Sequence, residues 1–538
     1  MHLKMVFDPS MLEESVKDTP FAAMYPDILA MFPEFKNRMS EQLKREVVGE
    51  LKRLIGDENV SDNPAVCASY GAVPFLVPEI VIRPKEVEHV QAALRIANKH
   101  IIPVTPVAGG CLLSASSTFC IPRGIVLDMS GMNRIIEINT DEGYVVLEPG
   151  VTNGQLYKAL QPLKYWHSKG SYNPQLSVFG PATTQVQGHR GSGGFDDILG
   201  FEVVLPDGTL VRTGGAVAEH GSWAHQYFNF PDIHGLWLNA NGMLGVVTKF
   251  ALRIYPQGEV ANFHITGFNS TESAVKFCRQ VCLRGAAEHV VIWHWVALLQ
   301  MERWGKMLYG NVLDGELIPY DTWSPRNFYD PPEGVPLWLT VTTFEGFKEV
   351  VEAQIKVCDR LARENGGTVY NHEDFKRVFP YFYEMCVERH VKHEPPRSPA
   401  MALGLMAPFF TAAYIGLVPP RNLVQMEKHL VDLFEGKEGM SLISAYIQPF
   451  DQGRMMFHRF YISRFGGTFN ELREDLRKYA TYSAELLRKY GFFGHKPPAT
   501  REEAKAILQQ TGGYYEVLKR IKKALDPNNI MSPHMWPE

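Results

Sequence analysis

The sequence predicts an α+β protein with more than one domain. Its 538 residues exceed the roughly 250–300 residues at which a single hydrophobic core stops growing. An apolar strand over 75–83, an amphipathic helix over 86–100 and a second strand from Ile101 predict a β-α-β start. Further along, helical and extended apolar stretches alternate, at 273–284, 338–343, 345–365 and 443–449.

The first two helices are predicted from apolar residues that recur at helical spacing. Residues 1–60 form a helical arm in this interpretation, and its charged stretch 40–56 carries Leu43, Val47, Leu51 and Ile55. Such an arm packs on the body of the protein or on a second subunit. The helix over 86–100 has one apolar face, made of Val87, Val90, Leu94 and Ala97.

A glycine pair follows the second strand. Gly109 and Gly110 lead into a run of hydroxyl side chains from Ser114 to Thr118. Two successive glycines let the backbone approach a ligand closely, so that N–H groups can surround an anion. A plain surface turn explains the same residues, and only the context favours an anion site.

That context is a strand-turn-strand rhythm from Gly124 to Gly154, with β-rich stretches at 125–129, 134–138 and 144–148. Within it, LDMSGMNRIIEI and LEPGVT resemble the first FAD-binding subdomain of the vanillyl-alcohol oxidase and p-cresol methylhydroxylase flavoprotein family. In that family a glycine-rich loop wraps the pyrophosphate of the dinucleotide.

Three later stretches resemble the same family, in the same order. They are GFEVVLPDGTLVRTGG at 200–215, which contains a predicted hairpin across Pro206–Gly208, NANGMLGVVTKFALRIYP at 239–256, and ALDPNNIMSPHMW at 524–536. The resemblance implies a two-subdomain FAD-binding domain of the vanillyl-alcohol oxidase type plus an α+β cap domain. The implied limits are a helical arm at 1–60, the FAD-binding domain at 61–260, the cap at 261–480 and a C-terminal segment at 481–538 that returns to the FAD domain.

The resemblance also implies FAD as the cofactor and a set of residues that hold it. These residues are Pro106, Val107, Ala108, Gly109, Gly110, Cys111, Leu112, Leu113, Ser114, Pro149, Gly150, Gly180, Thr183, Thr184, Gln187, His189, Arg190, Gly242, Gly245, Val246 and Val247. Covalent attachment of the flavin through His or Tyr is frequent in the family. Tyr414 and His390 are the candidates for attachment, and the attaching residue stays unassigned.

Departures from the family pattern bear on the substrate. The phenol-oxidising branch holds a phenolate with tyrosines and an arginine, and the matching stretch GFFGHKP places His495 and Lys496 at one Tyr-Arg pair. Both side chains can receive an oxyanion, although lysine lacks the bidentate fork of arginine. In the strand MFHRFYISRF, alternation separates His458 from Arg459 and Tyr461, so that one face lines either the cap cavity or solvent. Tyr461 and Arg464 complete the predicted catalytic set.

The hydroxyacid-oxidising branch is matched less well. This chain has FGPATTQVQGHRGSGGF at 179–195 where that branch carries GGNxATNAGG, and the branch's histidine-rich metal motif is absent from the sequence. No metal site is therefore predicted. The aromatic-rich region between 260 and 480 and the tail that ends in Trp536 favour an aromatic alcohol.

Composition and charge limit the classes of partner that are expected. A net charge of −5 without a Lys/Arg-rich stripe is not typical of a nucleic-acid-binding protein. The first residues lack a secretory signal pattern and no apolar run is long enough to span a bilayer, so a cytoplasmic protein without membrane contact is expected. Seven cysteines do not make a disulfide framework, and Cys278 and Cys282 are expected to be buried thiols. The expected partners are a small aromatic substrate, a second copy in a homodimer and an electron-acceptor protein.

Three functions are consistent with these residues. The first is an FAD-dependent oxidase or dehydrogenase that moves hydride from the benzylic or allylic carbon of a phenolic or aromatic alcohol to the flavin N5. The second is a 2-hydroxyacid dehydrogenase, in which Arg190 or Arg464 would bind the substrate carboxylate. The third is a non-catalytic flavin-fold subunit of an electron-transfer complex.

Overall fold

The computed structural model describes the chain in separate stretches. They are residues 39–70, 77–109, 124–167, 174–183, 194–218, 220–227, 229–299, 301–302, 328–393, 410–434, 440–464, 482–494 and 501–535. Three β-sheets organise these residues, and the helices pack on them.

The first sheet contains the predicted β-α-β start. Its elements are α1 (Glu41–Ile55), β1 (Val60–Ser61), α2 (Pro64–Ala68), β2 (Ile80–Ile82), α3 (Val87–His100), β3 (Val104–Val107) and β4 (Ile125–Asp128). The strand order is β1-β2-β4-β3, with β2, β4 and β3 parallel. Helices α1 and α3 confirm the two periodic patterns, because Val47, Leu51, Leu94 and Ala97 are buried in one core with this sheet. Parallel strands covered by helices read as continuous apolar runs, as IVLD in β4 does.

One boundary of this region was predicted wrongly. The second strand begins at Val104 and not at Ile101. Ile101 instead ends α3 in the left-handed conformation, with φ of 52°. Its apolar character imitated a strand start, whereas it serves as a helix C-cap position that glycine or asparagine usually occupies.

The second sheet is antiparallel and has six strands. Its elements are β5 (Ile135–Asn139), β6 (Tyr144–Leu147), α4 (Asn153–Leu160), β7 (Tyr165–His167), α5 (Phe179–Thr183), β8 (Ile198–Val204), β9 (Leu210–Arg212) and β10 (Val246–Pro256). The order is β5-β6-β10-β8-β9, and β7 also pairs with β10. Strands β8 and β9 confirm the predicted hairpin, whose turn contains Gly208 at a φ of 86°.

The third sheet is the cap. Its elements are β11 (Val260–Phe268), α6 (Thr271–Leu283), β12 (His289–His294), β13 (Trp338–Gly346), α7 (Lys348–Glu364), β14 (Thr368–Val369), α8 (His372–Val378), β15 (Phe410–Val418), α9 (Pro420–Phe434), β16 (Met440–Phe450), β17 (Met455–Arg464), α10 (Tyr482–Tyr490) and β18 (Phe493–Gly494). The order is β14-β11-β13-β12-β16-β17-β15-β18. Helices α6, α7, α9 and α10 bury one face of this sheet.

The opposite face of the cap sheet has a different cover. Helix α8 and the helical turns after it, which include a π-helical turn at Tyr383–Glu388, pack Phe375, Phe382 and Val387 against Leu339 and Val341. This cover lies over the β11–β13 side of the sheet. The predicted alternation of helices and strands in this region is therefore confirmed.

The C-terminal segment rejoins the first sheet. After α11 (Arg501–Leu508) and α12 (Gly513–Leu525), the chain forms a parallel bridge between Met531 and Val104 of β3. The Val104 N–H donates to Ile530 O at 2.7 Å, and the Ser532 N–H donates to Val104 O at 2.8 Å. The last described residues thus lie beside the strand that leads into the glycine pair.

Among the described helices, none has the length and apolar character that a bilayer crossing requires. Cys278 and Cys282 are buried free thiols on α6, as their spacing predicted.

Candidate functional site

The glycine pair lies at the end of β3. Pro106 and Val107 are strand residues, and Val107 pairs in register with Asp128 at the end of β4. A side chain at Gly109 would lie 3.2 Å from the Cβ and the backbone N of Ser177, so the backbone there is packed against a second segment. Ala108 is half-buried. The rest of the predicted loop, Gly110, Cys111, Leu112, Leu113 and Ser114, lies outside the described residues.

The Asp128 carboxylate at the end of β4 is paired with two neighbouring side chains. Asp128 accepts hydrogen bonds from the Tyr70 hydroxyl at 2.5 Å and from Arg83 Nε at 3.1 Å. Burial, together with the hydrogen bond to Asp128, raises the pKa of Tyr70 to about 12. The Asp128 carboxylate therefore presents little uncompensated negative charge to an anion at the edge of the sheet.

Pro149 and Gly150 lie in the turn after β6 (Tyr144–Leu147). The Gly150 N–H donates to Met132 O at 2.8 Å. A Cβ at Gly150 would lie 2.7 Å from both Met129 O and Met132 O. Glycine is thus required here for a close approach of two backbone segments. This packing also holds the turn at the end of β4.

Helix α5 holds two more of the predicted residues. Gly180 and Thr183 lie in Phe179–Thr183, and the Thr183 hydroxyl donates to Phe179 O at 2.9 Å. The Asn239 N–H donates to Thr183 O at 2.8 Å, which attaches the turn before β10 to the end of this helix. Thr184, Gln187, His189 and Arg190 lie outside the described residues.

The turn before β10 has left-handed backbone at three positions. Asn239, Asn241 and Gly242 have φ values of 57°, 50° and 76°. We call residues 239–242 the left-handed turn. A Cβ at Gly242 would lie 2.5 Å from Cγ of Pro106 and 3.0 Å from Oγ of Ser532, so this turn meets both β3 and the C-terminal segment.

The residues after the left-handed turn lead into the core. Gly245 has a φ of 134°, and a Cβ there would lie 2.7 Å from Val204 O. Val246 is buried with the core of the first sheet, whereas Val247 is buried with that of the second. The two valines join the two subdomains, and their cofactor contact stays a prediction.

Two buried polar atoms near the left-handed turn have no hydrogen-bond partner in the described part of the chain. They are Asn239 Oδ1 and Ser532 Oγ. Buried polar groups are nearly always paired, so these atoms mark where a ligand or water belongs. Glycine backbone in close contact and spare amide and hydroxyl groups fit a dinucleotide with a diphosphate. Among the described residues, Pro106–Gly109 and the left-handed turn would hold FAD.

The cap strand β17 separates its side chains between two environments. His458 and Phe460 are fully buried, and Phe460 belongs to the core between the sheet and helices α6 and α9. His458 Nε2 lies 3.8 Å from Glu427 Oε2 within this interior. The face that carries His458 is thus part of the core, and the prediction that one face lines the cap cavity or solvent applies to the face that carries Arg459.

Arg459 lies on the other face, in a row that crosses three strands. Arg459 pairs in register with Tyr446 of β16, and Tyr446 pairs with Trp293 of β12. The Arg459 guanidinium carbon lies 4.8 Å from the centroid of the Tyr446 ring, and the Tyr446 and Trp293 ring centroids lie 5.2 Å apart. We call these three residues the cap row. Sequence reasoning did not assemble it, because its members come from three distant segments.

The structure describes the predicted catalytic residues only in part. Tyr461 and Arg464 belong to β17, where their backbones pair with Ile443 and Met440 of β16. Their side chains, like all of His495 and Lys496, lie outside what the structure describes. Tyr414 is buried against Phe434 in the helix-covered core, with ring centroids 6.0 Å apart, which argues against flavin attachment there. The side chain of His390, the other attachment candidate, is not described.

One buried histidine near the cap row keeps its neutral form. Burial lowers the pKa of His294 to about 3. Its ring stacks on Phe328 with centroids 4.0 Å apart, and its Nε2 lies 3.1 Å from Phe328 O. His294 and Trp295 are fully buried. The described residues contain no group of three or more His, Cys, Asp or Glu side chains that could hold a metal ion.

Comparison with known proteins agrees with this architecture. Residues 78–214 match the family described as FAD binding domain. The chain is 26% identical over 329 residues to a probable mitochondrial D-lactate dehydrogenase of Danio rerio, covering 60% of each protein. It is 30% identical over 236 residues to the flavoprotein subunit of 4-cresol dehydrogenase (hydroxylating) of Pseudomonas putida, covering 40% of this chain and 43% of that subunit.

These two matches span about half the length of the relatives. Over a longer stretch, the fold is similar to that of p-cresol methylhydroxylase with bound substrate, with a TM-score of 0.76 at 19% identity over 92% of this chain and 96% of that one. The two-subdomain FAD-binding domain and the cap predicted from sequence share that architecture. The chain therefore contains an FAD binding domain over residues 78–214, it has the fold of p-cresol methylhydroxylase, and FAD is its cofactor.

Proposed function

We propose that this protein is an FAD-dependent oxidoreductase that removes hydride from the benzylic or allylic carbon of a phenolic or aromatic alcohol. FAD supplies hydride and electron transfer, so the protein has to bind the substrate, orient it and set the charge around it. The observation that carries the proposal is the cap row, in which one cation and two aromatic rings are adjacent on one sheet face.

The cap row suits an aromatic ring that bears an oxyanion. Aromatic side chains favour offset or edge contacts with a planar substrate. Trp293 and Tyr446 are half-buried and offer such faces. The Arg459 guanidinium stacks on Tyr446 and also lies 5.8 Å from the ring centroid of Phe457, which fixes the orientation of its planar fork. A phenolate oxygen is matched to that cation.

The proposed oxygen-binding set extends beyond this row. His495, Lys496 and Tyr461 would bind the phenolate or alcohol oxygen, and Arg464 lies on the same strand as Tyr461. The cofactor residues inferred from the family motifs keep their proposed roles. The domain limits at residues 60, 260 and 480 stay part of the proposal.

A 2-hydroxyacid dehydrogenase is the second candidate. The similarity to a D-lactate dehydrogenase covers more of this chain than the similarity to the cresol enzyme subunit. The Arg459 guanidinium can also bind a carboxylate in a bidentate manner, as can Arg190 or Arg464. The aromatic neighbours of Arg459 favour the aromatic substrate, because a small hydroxyacid would make no ring contact with them.

The test is anaerobic reduction of the purified protein. We expect a visible flavin spectrum that a 4-alkylphenol or 4-hydroxybenzyl alcohol bleaches within seconds to minutes, while D-lactate leaves it unchanged. Bleaching by D-lactate alone would favour the second candidate. A flavin spectrum that neither substrate bleaches would favour a non-catalytic subunit of an electron-transfer complex.

The electron acceptor and assembly are part of the same proposal. The Pseudomonas putida relative is named as a flavoprotein subunit. We infer that the reduced protein passes its electrons to an acceptor protein, and that it forms a homodimer in the cytoplasm. Light scattering of the purified protein tests the dimer, and reoxidation rates in air test whether oxygen replaces the acceptor.

A further inference from the structure

Ser532 has an unusual backbone for a serine. Its φ is 40°, in the left-handed region that favours glycine. The residue is 1% exposed, and its N–H donates to Val104 O at 2.8 Å. Residues kept in such a conformation persist only where the surroundings determine them, and they concentrate at functional sites.

A buried ion pair between Lys522 and Asp526 holds the segment that contains Ser532 in this conformation. Lys522 Nζ donates to Met531 O and to Met243 O, each at 2.9 Å. Asp526 Oδ2 accepts from the Met531 N–H at 2.9 Å. The segment before Ser532 is thus fastened both to α12 and to the loop that follows the left-handed turn. Ser532 cannot relax to an extended backbone without breaking this set of hydrogen bonds.

The Ser532 hydroxyl has no hydrogen-bond partner within the described stretches of the chain, although it is buried. It lies 3.0 Å from the point where Gly242 would carry a Cβ, and the same point is 2.5 Å from Cγ of Pro106. The hydroxyl therefore lies where β3, the left-handed turn and the C-terminal segment meet. A buried hydroxyl without a partner is destabilising unless a bound group completes it.

We propose that the Ser532 hydroxyl hydrogen-bonds the polar ribityl-diphosphate chain of bound FAD, which makes the C-terminal segment part of the cofactor site. The strained backbone aims the hydroxyl at the β3 edge, and Asn239 Oδ1 lies unpartnered in the turn beside it. This inference rests on the FAD cofactor and is independent of the substrate proposed above.

The test compares two variants at left-handed positions. Ser532→Gly removes the hydroxyl and relieves the backbone, so the variant should fold at least as well as the wild type. Lys164→Gly is the matched control, because Lys164 has a φ of 57° on an exposed turn. Full-length protein expressed under flavin depletion is titrated with FAD, and quenching of flavin fluorescence gives Kd. Thermal melting of the flavin-free protein is measured in parallel.

We expect Ser532→Gly to raise Kd for FAD about tenfold, the loss of one hydrogen bond to a charged or strongly polar group, while its flavin-free melting temperature is unchanged or higher. Lys164→Gly should leave Kd unchanged. An unchanged Kd for Ser532→Gly would overturn the inference and assign the hydroxyl to a buried water. Because FAD affinity is the readout, this result is separate from whether an alcohol reduces the flavin.

Discussion

Lys522 Nζ lies 2.6 Å from Asp526 Oδ2, and both side chains are almost wholly buried at 4% and 0% exposure. The pair spans one turn at the end of α12, and its remaining hydrogen bonds go to backbone groups of the C-terminal segment and of residue 243. Two charges in such a site are stable only because each satisfies the other and the surrounding backbone.

Replacing Lys522 with Met should therefore strongly destabilise the folded protein. It leaves the Asp526 carboxylate buried without its cation, and we expect the free energy of unfolding to fall by about 3–5 kcal/mol. The exposed pair Lys519–Glu516, at 2.7 Å and 41% and 59% exposure, is a matched control on the same helix. Lys519→Met should cost less than about 1 kcal/mol. Urea unfolding of both variants measures the difference, and equal costs would contradict this account.

Gly242 is predicted to tolerate no side chain. At a φ of 76°, an alanine Cβ would lie 2.5 Å from Cγ of Pro106, so the left-handed turn or β3 must move. Gly285→Ala is the control, because Gly285 has a φ of 63° and no atom within 4 Å of its Cβ position. Gly285→Ala should cost about 1–2 kcal/mol from backbone strain alone. Gly242→Ala should cost more and also lower the flavin bound per chain, measured by absorbance. Normal flavin content in Gly242→Ala would separate the turn from the cofactor site.

The buried neutral His294 predicts a pH dependence of stability. Burial lowers its pKa to about 3 in the folded chain, whereas an unfolded histidine titrates near 6.5. Below about pH 6.5 the unfolded chain takes up a proton that the folded chain does not. The contribution of His294 to the free energy of unfolding is therefore complete above about pH 6.5 and falls by about 1.4 kcal/mol per pH unit toward pH 3. In His294→Gln the slope of unfolding free energy between pH 6 and 4 should be smaller by about that amount. Parallel slopes for the variant and the wild type would assign the proton uptake to other groups.

Arg459 should affect turnover without affecting cofactor binding. If the cap row binds an anionic substrate oxygen, Arg459→Met should lower kcat/KM about tenfold to hundredfold, the range for a hydrogen bond to a charged group. Arg459→Lys should restore little, because a lysine lacks the planar fork that stacks on Tyr446. Arg454→Met, at an exposed pair with Asp451, is the control and should change neither rate nor flavin content. An Arg459→Met enzyme with normal kinetics would exclude the cap row from the substrate site.

Local patterns predicted the elements of the fold better than their long-range contacts. The apolar faces of α1 and α3 and the β8–β9 hairpin follow from short-range periodicity and turn residues, and they are confirmed. The strand start was wrongly predicted at Ile101, because a single exposed apolar residue at a helix end resembles the first residue of a strand. Periodicity also could not show that Met531 pairs with Val104, since a lone bridge between such distant residues leaves no local pattern.

In the candidate site, too, local motifs were predicted from the sequence and long-range contacts were not. Glycines such as Gly109, Gly150 and Gly242 were predicted from motifs, and the close backbone contacts around them explain why the motif needs glycine. The cap row was missed, because it depends on the register of β12, β16 and β17. Ser532 was seen only as part of a tail motif, since its left-handed backbone and buried hydroxyl are properties of the assembled fold.

The pairing of Met531 with Val104 has a consequence for biosynthesis. A ribosome that adds about 5–20 residues per second needs tens of seconds between these two positions. During that interval the nascent first sheet has an uncovered edge at β3, while the intervening cap has all its own strands and can fold. Nascent chains arrested before residue 526 should therefore be more sensitive to protease near β3 than released chains, with the cap fragment protected in both.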